Sequence, residues 1–243
     1  MHYETGRESD RPGSDAESAL ESAARHLRAV PRPIGDVSAR QREIFFGRQA
    51  RDLIAWARES SLLIAAADYL SLAQRGGEEH RIWPSTNHAR VFKATYPGTC
   101  GFTVIAAEAT GNLPELTNAL PLDYFERLLQ QNRIFGDDLR LEGVAVEANG
   151  IVIITSQPTL IGQPTEAEEI SDFMRRLWFK PLPQLRLGRS GALAFYRDLD
   201  EVAAFDAHPA NFVKDQDGVV LPIDLILVQA DDALQAALTR YAT

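Results

Sequence analysis

The stretch Phe205–Leu225, FDAHPANFVKDQDGVVLPIDL, constrains the fold more than any other part of the 243-residue chain. It holds three side chains able to bind a metal or handle a proton: Asp206, Asn211 five positions later, and Asp224 thirteen positions after that. Between the last two, the sequence reads as strand, turn, strand: Phe212-Val213, then Asp217-Gly218, then Val219-Val220-Leu221. Asp-Gly between β-rich runs is a hairpin signal. Closing that hairpin carries Asp224 back beside Asn211. An amide and a carboxylate side by side, with a second carboxylate close, make a hard-oxygen site suited to Mg²⁺.

Composition bounds the rest. A hydrophobic fraction of 45% and a charged fraction of 24% are those of an ordinary globular protein of one or two domains. The net charge of −9 argues against general nucleic-acid binding, while leaving room for a local basic groove that takes phosphates. A lone cysteine, Cys100, excludes an internal disulfide and a thiolate zinc cluster, and it reads as a packing residue. A reducing, cytoplasmic compartment is the expectation. No apolar run approaches the ~18 residues of a membrane span, so no membrane partner is expected. The polar N-terminus MHYETGRESDRPGSD lacks a signal-peptide core. It reads as a disordered tail or as the cut end of a longer polypeptide.

Along the chain, residues 1–36 are expected to be disordered or weakly helical, with a short helix over Ala16–Arg28 and a break at Pro31-Arg32-Pro33. Residues 37–75 read as a helical extension, divided near Glu59-Ser60-Ser61 and stopped by Gly76-Gly77. Its apolar stripe is expected to pack on the rest of the molecule, and it is also the candidate protein-partner surface. Glu79–Trp83 and Ala89–Thr95 flank the turn-rich PSTNH and read as a β-hairpin. In its second strand Lys93 shares a face with Val91. Residues 110–119 read as a linker. Pro121 opens the amphipathic helix LDYFERLLQQNRIF, with Glu126 beside its apolar stripe. Asn149-Gly150 predicts a tight hairpin between Leu139–Glu147 and Ile151–Ser156. Thr165 and Glu168 predict a capping box ahead of a helix over 165–177, and Ala230–Tyr241 reads as a short terminal helix.

The residues D-x-H-P-x-N at 206–211 and P-I-D at 222–224 resemble the catalytic and metal-binding loops of the protein-kinase-like fold. The first resembles the aminoglycoside and choline phosphotransferase version more than the H-R-D version. The whole chain resembles the small Ser/Thr/Tyr-kinase-like domains of phage and mobile-element polyvalent proteins. The resemblance covers roughly residues 40–232, and only 205–225 is specific.

The resemblance implies an α+β, two-lobed fold. It divides into an antiparallel-sheet small lobe at 76–157, a reduced, mostly helical large lobe at 158–243, and the N-terminal helical extension. It implies a magnesium- and ATP-dependent phosphotransferase that moves a γ-phosphoryl group to a hydroxyl of a protein or small molecule. In that reading Asp206 orients the attacking hydroxyl, and Asn211 and Asp224 hold Mg²⁺. Lys93 grips phosphate and Glu126 holds Lys93, with Glu115 as a rival. Gly76-Gly77 cover the phosphates, and backbone groups at Ser156-Gln157 receive adenine. His208 braces the loop.

Only 19 residues follow Asp224, so the activation segment and A-P-E of a protein kinase are missing. Two other readings therefore stand beside the first: a nucleotide-binding pseudokinase or interaction module, and nucleotidyl transfer on a kinase-like fold.

Overall fold

The computed structural model describes residues 14–30, 39–107 and 110–242, with side chains described from Ala19 and, after the first gap, from Arg40. The expected tail at 1–13 and the proline break at 31–33 lie outside the described residues. The chain is α+β, with two layered regions built on antiparallel sheets.

The first region is a five-stranded sheet in the order β1-β2-β3-β7-β6. Its strands are β1 (Gln74–Arg75), β2 (His80–Pro84), β3 (Arg90–Thr95), β6 (Arg140–Glu147) and β7 (Gly150–Pro158). The β2–β3 and β6–β7 hairpins are those that PSTNH and Asn149-Gly150 announce. Three helices cover one face: α1 (Ser14–Arg28), α2 (Ala39–Glu59) and α4 (Pro121–Phe135). Leu20, Ala23, Ala24 and Leu27 recur at i, i+3, i+4 and i+7, and all are fully buried. The first helix is thus a full core element rather than a weak one. The second helix helps cap the fourth, since Gln49 Oε1 accepts from the Leu122 amide at 3.0 Å; the fourth also caps itself, with Asp123 Oδ2 accepting from the Leu120 amide at 2.9 Å. These satisfy donors that a helix start leaves unpaired. On the other face Tyr69, Trp83 and Phe92 stack in sequence.

The helical expectation for 60–72 needs correction. After Ser61, which takes a left-handed φ of 58°, residues 62–64 run beside β6 and exchange bonds with Val144. Only α3 (Ala67–Leu70) remains helical. Gly143 makes the approach possible, because a Cβ there would lie 2.6 Å from Ile64 Cγ1 and 2.7 Å from the Leu62 carbonyl. Gly76-Gly77 consequently end no helix; they form the turn between β1 and β2.

The second region follows β7 and holds more strand than helix, where a mostly helical lobe is expected. A four-stranded sheet runs in the order β14 (Ile226–Gln229), β11 (Val202–Ala207), β10 (Leu193–Arg197), β9 (Lys180–Pro181). Alternation along β11 sends Ala203 and Phe205 to one core and Val202 and Ala204 to the other. Beside it lies a three-stranded sheet: β13 (Val220–Pro222), β12 (Phe212–Lys214) and β8 (Gln163–Pro164). The two helices are α5 (Ala167–Arg176) and α6 (Asp232–Thr239). The capping box of α5 sits one residue later than Thr165 and Glu168 suggest: Glu169 accepts from the Glu166 amide at 3.0 Å.

The expected linker at 110–119 is also a strand. Here β4 (Phe102–Ala107) pairs with β5 (Leu113–Asn118), and Pro114 is tolerated because β5 is an edge. This hairpin joins the core formed by β11, β14 and α6, although its sequence lies within the expected small lobe.

Candidate active-site cleft

Three elements meet at the junction of the two regions: β3 with Lys93, α4 with Arg127, and the segment Ile223-Asp224-Leu225 after β13. The β12–β13 hairpin closes at Asp217-Gly218, with Asp215 Oδ1 accepting from the Asp217 and Val219 amides at 2.9 and 2.8 Å. That closure brings the Ile223 amide to the Asn211 carbonyl at 2.8 Å. The carbonyl of Ile223 in turn faces Lys93 Nζ at 3.5 Å and Gln131 Nε2 at 3.4 Å. One residue, Ile223, therefore links the loop of Asn211 to the strand of Lys93.

Lys93 sits where the alternation of β3 turns it inward, opposite Ile82 on one side and Thr155 on the other. Its side chain is only 12% exposed, and its Nζ lies 3.6 Å from Asp224 Oδ2. Arg127, 3% exposed, approaches the same carboxylate from the helix: Nη2 is 2.5 Å from Asp224 Oδ1. Its Nε donates to the Leu225 carbonyl at 2.7 Å, and its Nη1 to Glu79 Oε2 at 2.8 Å. His80 Nδ1 lies 3.8 Å from Asp224 Oδ2, and His80 Nε2 bonds the Tyr124 hydroxyl at 3.0 Å.

Glu126 does not meet Lys93. It pairs with Arg28 of α1, with Oε1 3.2 Å from Nε. Glu115 lies on β5, an exposed position of the second region. The helix residue that enters the cleft is the neighbour, Arg127, and it binds Asp224 rather than Lys93. The carboxylate brought close to this group is Glu79, in the turn just before β2. Neither Arg127 nor Glu79 stands out in sequence, because each pairs with residues far along the chain. A faint signal exists: Tyr124, Arg127 and Gln131 form a polar line beside the apolar stripe of α4, and all three are buried.

The electrostatics follow from this crowding. Burial alone pushes the Asp224 carboxyl up, but Lys93, Arg127 and His80 pull it well below the usual carboxylate range. Burial works against the Arg127 charge, and Glu79 and Asp224 outweigh it, so the guanidinium stays charged. Glu79 is pushed up to about 7 because burial exceeds what Arg127, already shared with Asp224, returns. Burial drives His80 down to about 3, so its ring is neutral. Cys100 is buried and its thiol is pushed up, in keeping with a packing role.

Asp206 lies at the end of β11 in a left-handed conformation, φ 56°. The Arg189 amide donates to its Oδ1 at 2.9 Å. Asn211 Nδ2 donates to its backbone carbonyl at 2.9 Å and to Oδ2 at 3.3 Å. His208 Nε2 stands 3.6 Å from Oδ2, too far for a hydrogen bond. The left-handed turn and the Pro209–Asn211 3-10 turn together fold D-x-H-P-x-N back on its own aspartate.

Among the described residues no group of three His, Cys, Asp or Glu is arranged to hold a metal. Two hard oxygens are nonetheless unspent. Among the described residues Asn211 uses its Nδ2 twice on Asp206 and its Oδ1 takes no hydrogen bond; Asp224 Oδ2 has the Lys93 ammonium and the neutral His80 ring near it but no hydrogen bond. A magnesium ion is commonly held by one or two such oxygens, with phosphates and water completing the octahedron, so the donor set fits.

The remaining expected residues are less committed. Gly76-Gly77 turn between β1 and β2, with the Gly77 carbonyl accepting from the Tyr96 hydroxyl at 3.0 Å. A Cβ on Gly76 would lie 2.6 Å from Ile82 Cγ2, so glycine lets the turn close. Ser156 and Gln157 lie within β7, both buried. Arg90 binds the Ser156 hydroxyl at 2.8 Å and its carbonyl at 3.1 Å, while Gln157 Oε1 is buried without a hydrogen bond. The Ser156 carbonyl is thus already engaged by protein.

None of the known protein-family models, curated proteins or solved structures matches the chain. No helix among the described residues is long and apolar enough to cross a membrane.

Proposed function

We propose that the cleft binds a nucleoside triphosphate with magnesium and transfers its γ-phosphoryl group to a hydroxyl of a protein or small molecule. The observation that carries this reading is the approach of Lys93 Nζ to Asp224 Oδ2 at 3.6 Å, linked through Ile223 to Asn211 and from there to Asp206. A rigid-strand ammonium, an amide oxygen, a carboxylate for metal and a separate carboxylate for a proton are the parts that phosphoryl transfer uses.

The chain's own residues divide the work. The Lys93 ammonium binds phosphate oxygens as a compact charge on a strand. Asn211 Oδ1 and Asp224 Oδ2 would hold magnesium, which when bound neutralises phosphate charge. Asp206 accepts or orients the proton of the acceptor hydroxyl at a carboxylate oxygen. Arg189, Asn211 and His208 keep that carboxylate in place.

The test is incubation of the purified chain with Mg²⁺ and γ-labelled ATP, beside Asp206→Ala and Asp224→Ala. Label on the protein or on an added acceptor, lost in both variants, supports the assignment. One observation favours a second reading, a nucleotide-binding module without transfer: Arg127 already occupies one oxygen of Asp224. ATP binding that depends on Asp224, with no label moved, would select it.

A further inference from the structure

Resting on that reading of the cleft, we propose that Arg127 is a resident counter-cation for Asp224, so that the site takes a divalent ion poorly alone and takes it together with a polyphosphate. The geometry makes Arg127 a fixture. Its three nitrogens are spent on three separate acceptors: the Leu225 carbonyl, Glu79 and Asp224. Releasing Asp224 would leave a guanidinium that is 3% exposed with one anchor fewer in a buried setting, which is costly. Asp224 Oδ1 is therefore taken, and Oδ2 alone remains for a metal.

The charge count points the same way. Lys93 and Arg127 both face the Asp224 carboxylate, at 3.6 and 2.5 Å from its two oxygens. A free divalent ion arriving there meets two fixed cations around Asp224, one of them shared with Glu79, and the neutral oxygen of Asn211. A polyphosphate changes this balance. Its oxygens attract Lys93 away from Asp224, bring several negative charges, and add oxygen ligands to the metal. Arg127 is thus a positioning residue that acts through Asp224, and Glu79 holds it there. A helix glutamate beside Lys93, which the kinase-like pattern leads one to expect, would have left Asp224 with its full charge for metal.

Mn²⁺ is the probe, followed by its electron paramagnetic resonance signal in the presence and absence of ADP, using the full chain. The wild-type protein is expected to bind Mn²⁺ at least about tenfold more tightly with ADP than without. Arg127→Gln should bind free Mn²⁺ at least about tenfold more tightly than wild type, narrowing the gain from ADP. Arg127→Lys should behave more like wild type. The double variant Arg127→Gln/Glu79→Gln removes both charges of the buried pair and serves if the single variant fails to unfold cooperatively.

The proposal is overturned if a folded Arg127→Gln or double variant binds free Mn²⁺ no more tightly than wild type. It is also overturned if wild type binds Mn²⁺ equally well with and without ADP. Asp224→Ala separates this from the underlying reading. If Mn²⁺–ADP binding is lost in Asp224→Ala while the Arg127 variants change nothing, only the role of Arg127 falls. If Asp224→Ala binds Mn²⁺–ADP like wild type, or no form binds Mn²⁺ or ADP, the phosphotransferase-like reading falls with it.

Discussion

Gly188 lies against the carboxylate of Asp206: a Cβ on residue 188 would stand 2.5 Å from Oδ1, and the glycine has a φ of 84°. The next amide, Arg189, is the one that donates to that oxygen. The loop 188–191 thus grips Asp206 through its backbone, and only glycine permits the approach. Gly188→Ala is expected to cost about 1–3 kcal/mol of stability from strain. By displacing Asp206 it should lower phosphoryl transfer by roughly a hundredfold. A thermal melt and the labelled-ATP assay read the two effects. Unchanged transfer in a folded variant would mean that this loop does not set the aspartate.

The cleft makes a specific prediction for pH. His80 has a folded value of about 3, below its unfolded value of 6.5, so its contribution is present above 6.5 and lost as pH falls toward 3. Glu79 has a folded value of about 7, above its unfolded value of 4.5, so its contribution is present below 4.5 and lost as pH rises toward 7. The two slopes oppose each other between 4.5 and 6.5. Each approaches about 1.4 kcal/mol per pH unit. Urea midpoints of the wild type should be nearly flat across that window and fall below it, where Asp224, held low, adds to His80. Glu79→Gln should expose a rise in stability with pH, and His80→Asn a decline. Parallel profiles for all three proteins would show that neither group titrates this way.

The first helix can be tested as a core element. Leu27 is fully buried against α4 and β6. Leu27→Ala should destabilise the whole chain by about 2–5 kcal/mol. A single cooperative urea transition shifted by that amount is expected. A variant that unfolds at the wild-type midpoint would make α1 a dispensable appendage.

Gly143→Ala should disturb the bridge that residues 62–64 make to Val144, because a Cβ would meet Ile64 and the Leu62 carbonyl. Overpacking of this kind costs about 1–3 kcal/mol. Hydrogen exchange at the Ile64 amide, which is bonded to the Val144 carbonyl at 2.8 Å, should accelerate in the variant. Equal protection in variant and wild type would sink the packing argument.

These tests fall unevenly on what sequence reading reaches. Asp217-Gly218 and Asn149-Gly150 mark their hairpins because turn chemistry is local. Alternation in RVFKAT is enough to turn Lys93 inward. The extended bridge segment at 62–64 is hidden because LLIAAA is a short apolar run, equally at home in a buried helix until Gly143 opens the sheet edge. Two strands of the second region escape similarly: β8 and β9 are each two residues long, too short to show a period. Arg127 is the harder case. An arginine beside a glutamate on a helix reads as a solvated pair, and only the tertiary approach of Glu79 and Asp224 makes it a buried ion.

The helix that carries Arg127 is held on several sides. Leu20 to Leu27 of α1 press on it, Gln49 of α2 caps its start, and β14 lies along it. A helix so braced has no room to swing as a rigid arm between an idle and a working pose. With α4 fixed, any response of the cleft that runs through Arg127 falls to side chains and arriving ions, on the timescale of rotamers and diffusion. The molecule is, in that sense, a fixed die into which charge is poured, and its response to nucleotide should be a change in electrostatic field with almost no change in shape.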